Sequence, residues 1–242
     1  MRTSNPMMKE NVFTRSLADA EPMTLQGAVN KTIIMLALVV IGAGYTWNLF
    51  YNQGPAAVQP WMMGGLIGGL VVALVTIFKP TWSPFTAPVY AVLEGLALGG
   101  ISAFFEARFP DIVVQAVALT FGVLFCLLVA YKSGMIKVTE NFRLGVVAAT
   151  GGIFLVYMIG FVGSFFGFQM PYIHESGVIG IGFSLFVVVI ASLNLVLDFD
   201  FIERGHGVAP KYMEWYAAFG LIVTLVWLYL EILRLLAKIR ER

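Results

Sequence analysis

Residues 177–203 read GVIGIGFSLFVVVIASLNLVLDFDFIE, and twenty-one residues pass before the first charge, Asp198. A helix crosses the hydrocarbon of a bilayer in about 20 predominantly apolar residues, at about 1.5 Å each. This run is long enough. The same test applied outward along the chain finds six further segments, near 31–51, 60–79, 85–106, 111–131, 143–166 and 212–238. The expected fold is therefore all-α, a polytopic membrane protein built as a seven-transmembrane-helix bundle. Residues 1–30 form its N-terminal segment, 31–238 the transmembrane domain, and 239–242 a short basic tail.

Composition agrees with lipid as the main solvent. Hydrophobic residues make up 59% of the chain and charged ones 12%, where soluble domains carry roughly 25% charged residues. A net charge of +1, with no basic cluster interleaved with aromatics, argues against a nucleic-acid partner. The single cysteine, Cys126, lies in an apolar run, forms no internal disulfide and is read as a packing residue.

The breaks between segments have chemical causes. Asn52-Gln53-Gly54-Pro55, Lys79-Pro80, Pro110, Pro171 and Pro210 punctuate the pattern. Tyr51, Trp61, Trp82, Tyr131, Tyr172 and Trp215 lie near span ends, as an interfacial aromatic belt requires. Residues 1–30, with Glu10 and Asp19 among them, lack a short apolar stretch and a cleavage site, so the first span is expected to act as an uncleaved insertion signal. Arg2, Lys9, Arg15, Lys31, Lys79, Lys132, Lys137, Arg143, Arg204 and Lys211 fall on one side of the membrane, and Arg108 alone among the opposite loops. Positive residues stay inside, which puts the N-terminus in the cytosol. Arg234, Lys238, Arg240 and Arg242 then end outside if the last helix crosses fully; a re-entrant last helix is the alternative. With no ER-retention signal, a bacterial plasma membrane is the expected location. Gly64-Gly65, Gly68-Gly69, Gly151-Gly152, Gly160 and Gly163 are expected to pack helices tightly within one chain, with a dimer interface as the other reading.

Ionisable groups inside a membrane cost about 2.5–3.5 kcal/mol on insertion scales, so those present need reasons. Glu94 has no charged neighbour within nine residues and sits roughly 13 Å deep. Asn194 and Asp198, four residues apart, make a polar stripe facing the bundle interior, at a depth where Asp198 could meet Glu94. Asp200 is roughly 200° round the helix from Asp198, and Arg204 is placed to pair with it. Glu231 lies about 28 Å along the last span, with Arg234 three residues on. Glu214 is a fallback partner for the aspartates. Burial disfavours the charged form of a carboxylate in general, and carboxylate oxygens suit hard cations. Interior acids therefore suit Ca²⁺ or H⁺ binding together with pH sensing.

Three stretches resemble the Bax inhibitor-1 family, also called the transmembrane Bax-inhibitor-motif family. They are Glu94-Gly95-Leu96-Ala97-Leu98-Gly99, Leu197-Asp198-Phe199-Asp200-Phe201-Ile202-Glu203, and Leu228-Tyr229-Leu230-Glu231. The resemblance runs over most of residues 30–238. It implies seven spans and a pH-sensitive Ca²⁺ leak channel with paired acids on its last two helices, one of which a basic residue latches. Carried over, Asp198 is the sixth-helix acid, Glu231 the seventh-helix acid and Lys79 the possible latch. Two departures stand out: Leu197 replaces an aromatic, and glutamate replaces aspartate at 231. Aligning on Leu233-Arg234-Leu235-Leu236 instead puts Thr224 at the acidic position.

The expected function is a pH-sensitive cation (Ca²⁺) leak gated by protonation of intramembrane carboxylates. Glu94, Asp198, Asp200 and Glu231 are its ion- or proton-binding candidates, and Asp198 with Glu94 transient Ca²⁺ ligands. The alternatives are a non-transporting regulator that binds other membrane proteins, or a proton-coupled cation exchanger. No cofactor is expected beyond permeant or regulatory ions. An enzyme is not expected: the chain has no His-Glu-x-x-His motif and no nucleophile elbow, and His174 and His206 fall on opposite sides of the membrane.

Overall fold

The computed structural model describes residues 21–166 and 177–241. They form α1 (Leu25–Gln53), α2 (Pro55–Phe78), a 3₁₀ turn (Pro80–Trp82), α3 (Ser83–Arg108), α4 (Ile112–Lys132), α5 (Glu140–Phe165), α6 (Val178–Gly205) and α7 (Met213–Arg240). All seven helices are long and apolar enough to cross a membrane. Among the described residues the only β-type pairing is an isolated bridge between Pro22 and Pro210. Arg2, Lys9, Glu10, Arg15, Asp19, Pro171, Tyr172, His174 and Arg242 lie outside the described residues.

Local chemistry sets the helix ends. Thr24 caps α1, its hydroxyl accepting from the Gly27 amide at 2.9 Å. Gly54, at φ +89°, stops α1, and Pro55 opens α2 where no amide donor is needed. Thr139 caps α5 in the same way as Thr24. The helix that carries the first span begins six residues before Lys31, at Leu25. The cause is tertiary: the buried Glu214 carboxylate of α7 accepts from the Thr24 amide and hydroxyl, both at 2.9 Å, and pairs with Lys31. The chain before α1 is strapped to the α6–α7 connection, with the Met23 amide donating to Ala209 and the Gly207 amide to Met23. His206 Nδ1 lies 3.3 Å from that Met23 carbonyl.

Two helices form the centre. Of the most apolar 18-residue window, 56% is buried in α7 and 50% in α3, against 17% in α2 and α4 and 11% in α5. The α1–α3 contact brings backbones together. Gly95 and Gly99 lie against the Val39 and Ala43 carbonyls, and a Cβ on Gly42 would sit 2.8 Å from the Val92 carbonyl. Gly65, Gly68 and Gly69 of α2 pack on Leu93 and Glu94 of α3, as expected of intrachain packing. Gly64 of α2 and Gly151 and Gly152 of α5 do not: a Cβ added at any of the three meets nothing within 4 Å. Cys126 is also exposed on the bundle surface and packs no core, contrary to its expected role.

The last helix is long enough to cross fully. α7 is unbroken for 28 residues, roughly 42 Å, enough for a hydrocarbon core of about 30 Å. Its first turn meets the start of α1. Its last turn meets the α3–α4 connection, where Arg240 bonds the Gln115 side chain at 3.1 Å and Glu241 pairs with Arg108 at 2.8 Å. The N-terminal and C-terminal ends of the described chain therefore lie on opposite faces of the bundle.

Candidate functional site

Asp198 sits within α6, about two turns before its end, among the buried side chains of Leu195 and Phe199. It faces α7 at a small residue: a Cβ on Gly220 would lie 3.8 Å from Oδ1. The neighbouring α7 hydroxyl is Thr224, which donates to the Gly220 carbonyl at 3.2 Å. Asp198 Oδ2 is sealed from solvent and has no hydrogen-bond partner among the described residues. A buried carboxylate oxygen without a donor is costly and carries information for that reason. The seventh-helix residue opposite Asp198 is thus Thr224. Glu231 is not its partner, being engaged by Tyr157 and Arg234.

Asp200, two residues on, turns the other way, as the helical angle requires. Its Oδ2 takes Arg143 of α5 and Arg204 of its own helix, each at 2.8 Å. The Arg204 pair follows from the i,i+4 spacing; Arg143 reaches in from the start of α5.

Glu231 is 2% exposed and fully engaged. The Tyr157 hydroxyl of α5 donates to it at 3.0 Å, and Arg234 Nη1 at 2.9 Å. Arg234 also donates to the Tyr157 oxygen at 2.9 Å. Farther along α7, buried Lys238 donates to the Gly180 carbonyl at 3.1 Å and to Ser184 Oγ at 2.9 Å. Between the Asp200 and Glu231 levels Asn194 donates to Thr150 Oγ1 at 2.8 Å.

A pattern follows that the candidate list did not contain. Arg143, Thr150 and Tyr157 recur every seven residues along α5 and each makes a polar contact to α6 or α7. Ile153 packs with Val187 and Ile190 between them. The least buried helix is therefore held by a ladder of three polar rungs. The heptad spacing is visible in the sequence, although nothing local marks those residues as inward-facing.

The remaining candidates separate from Asp198. Glu94 lies beside Tyr90 of its own helix and against Gly69 of α2, where a Cβ would stand 3.3 Å from Oε2. The structure does not pair it with Asp198. Lys79 caps the end of α2, is exposed, and forms no ion pair among the described residues. It latches no acid here. Glu214 is committed to Thr24 and Lys31, so it is an anchor for α1 and not an alternative partner for the aspartates. Among the described residues, no group of three or more His, Cys, Asp or Glu could hold a metal ion.

A family model described as "Bax inhibitor 1 like" matches residues 5–241, nearly the whole chain. Comparison with curated proteins and with solved structures returned no match.

Proposed function

Because the chain belongs to the Bax inhibitor 1-like family, we propose that this integral membrane protein is a proton-responsive cation leak, with Ca²⁺ as the cation and Asp198 as the responding carboxylate. The observation that carries the reading is the sealed, unpartnered Oδ2 of Asp198. A negative charge on a carboxylate with one oxygen unpaired attracts a cation by about 4 kcal/mol at 4 Å and an effective dielectric constant of 20. Protonation removes that attraction. One site thus couples ion entry to proton concentration, and flux rises as pH rises.

Two charged clusters hold α5 against its neighbours: Asp200 with Arg143 and Arg204 at one end, and Glu231 with Tyr157 and Arg234 toward the other. Every ionised group in these two clusters has a partner, and the reading takes this as the closed state. The cation in this reading is a passing species held transiently at Asp198. Glu94 contributes a second interior negative charge, nearer α2. Lys79, Lys132, Lys137, Arg143, Arg204 and Lys211 share one face, which we assign to the cytosol of a bacterial cell together with the N-terminus.

Ca²⁺ efflux from proteoliposomes between pH 6 and 8 tests the reading by comparing wild type with Asp198→Asn. A pH gradient that builds up during flux points to the exchanger instead. The regulator reading is favoured by one observation, the open glycines of α5 at Gly145, Gly151 and Gly152. A stoichiometric membrane-protein partner, together with no flux, is its signature.

A further inference from the structure

Between α1 and α4 a groove of about 320 Å³ opens on the bundle surface. α1 lines it from Leu36 to Trp47 and α4 from Val113 to Phe121, while α3 and α7 form its floor. It occupies the half of the bundle next to the α3–α4 connection. We infer that this groove binds one acyl chain of a membrane phospholipid from the leaflet on that side.

The dimensions select the occupant. Leu36 to Trp47 spans roughly 16 Å of helix, close to one leaflet of a hydrocarbon core about 30 Å thick. A space of about 320 Å³ is too small for a stretch of partner helix about 10 Å across, which over that length fills roughly 1,200 Å³. A slender, flexible chain is the shape that fits.

The chemistry excludes water. The Ser102 and Tyr229 hydroxyls on the floor bond each other at 2.6 Å, and Thr120 donates to the Ala116 carbonyl at 2.7 Å. These contacts leave the groove's lining apolar, without the two to four polar partners a water needs. An empty apolar groove forfeits dispersion contacts along all its walls. Its mouth is flanked by Val40 and Val117, 62% and 40% exposed, on the surface that meets lipid tails. The bilayer is therefore the adjoining source of an apolar chain.

The test uses Trp47, which lines the groove. Its emission, taken as the part lost in Trp47→Phe, is compared in vesicles of phosphatidylcholine with brominated and with unbrominated acyl chains. Quenching of at least twofold is expected in wild type. Gly44→Leu fills the groove from the α1 side, where a Cβ meets nothing within 4 Å, and is expected to reduce the quenching by half or more. Val117→Phe fills it from the opposite wall with the same expected result. Gly122→Leu enlarges a position on α4 outside the groove and leaves the quenching unchanged. An unquenched Trp47 in wild type overturns the inference. So does quenching in both groove-filling variants equal to that of wild type.

Discussion

The Tyr157 hydroxyl of α5 reaches the Glu231 carboxylate of α7 at 3.0 Å, joining the least buried helix of the bundle to the most buried one. Arg234 stacks over the same ring, 5.3 Å from its centroid, and bonds both residues. Removing the hydroxyl leaves Glu231 with Arg234 alone. Tyr157→Phe is expected to lower stability by about 1–2 kcal/mol, the usual cost of a lost hydrogen bond to a buried charged group. Hydrogen exchange along α5 should rise in the same variant. Unchanged exchange in α5 contradicts its role as a rung.

Asp200 ties α5 to α6 through Arg143 and is partly buried, while both arginines reach solvent. A coupling of about 0.5–1.5 kcal/mol is expected between Asp200→Asn and Arg143→Gln in a double-mutant cycle read by thermal unfolding in detergent. It should be smaller for Asp200 with Arg204, which is 55% exposed and screened by water. Strictly additive effects for the Arg143 pair would show that the contact stabilises nothing.

Glu214 and Gly27 form a matched pair at the start of α1. A Cβ on Gly27 would overlap the Glu214 carboxyl group. Glu214→Gln weakens the pairing with Lys31, and Gly27→Ala displaces the carboxylate that holds Thr24. Each is expected to cost about 1–3 kcal/mol. Limited proteolysis between Glu21 and Lys31 reads the loss, with faster cleavage in both variants than in wild type.

Glycines of equal composition differ sharply in what surrounds them. Gly99→Ala drives a methyl group into the Ala43 carbonyl and the Thr46 hydroxyl, and overpacking of that kind costs about 1–3 kcal/mol. Gly151→Ala enters open space and is expected to be neutral or stabilising by roughly 0.5–1 kcal/mol, since alanine favours helix. Melting temperatures of the two variants should move in opposite directions or leave Gly151→Ala unmoved.

The seven spans were legible because the requirement for about 20 apolar residues is coarse and the polar breaks are sharp. The start of α1 at Leu25 was not, because the apolar run begins only near Lys31 and the Glu214 anchor lies 183 residues from it, although the Thr24 cap is a local signal. Asp200 with Arg204 could be read from helical spacing. Arg143 could be read only as a loop charge, since its reach into α6 depends on how α5 docks. Both Asp198 and Glu231 stood out as interior acids, yet their depths in adjacent helices place Thr224, not Glu231, opposite Asp198. The α5 glycines show the limit of pattern alone: small residues look the same whether they face a helix or lipid.

The most direct measurement is Ca²⁺ efflux from proteoliposomes at pH 6, 7 and 8 for wild type, Asp198→Asn and Glu94→Gln. Wild-type efflux is expected to rise severalfold from pH 6 to pH 8, Asp198→Asn to flatten that rise, and Glu94→Gln to retain most of it. If Asp198→Asn leaks like wild type at all three pH values, the sealed carboxylate does not govern permeation.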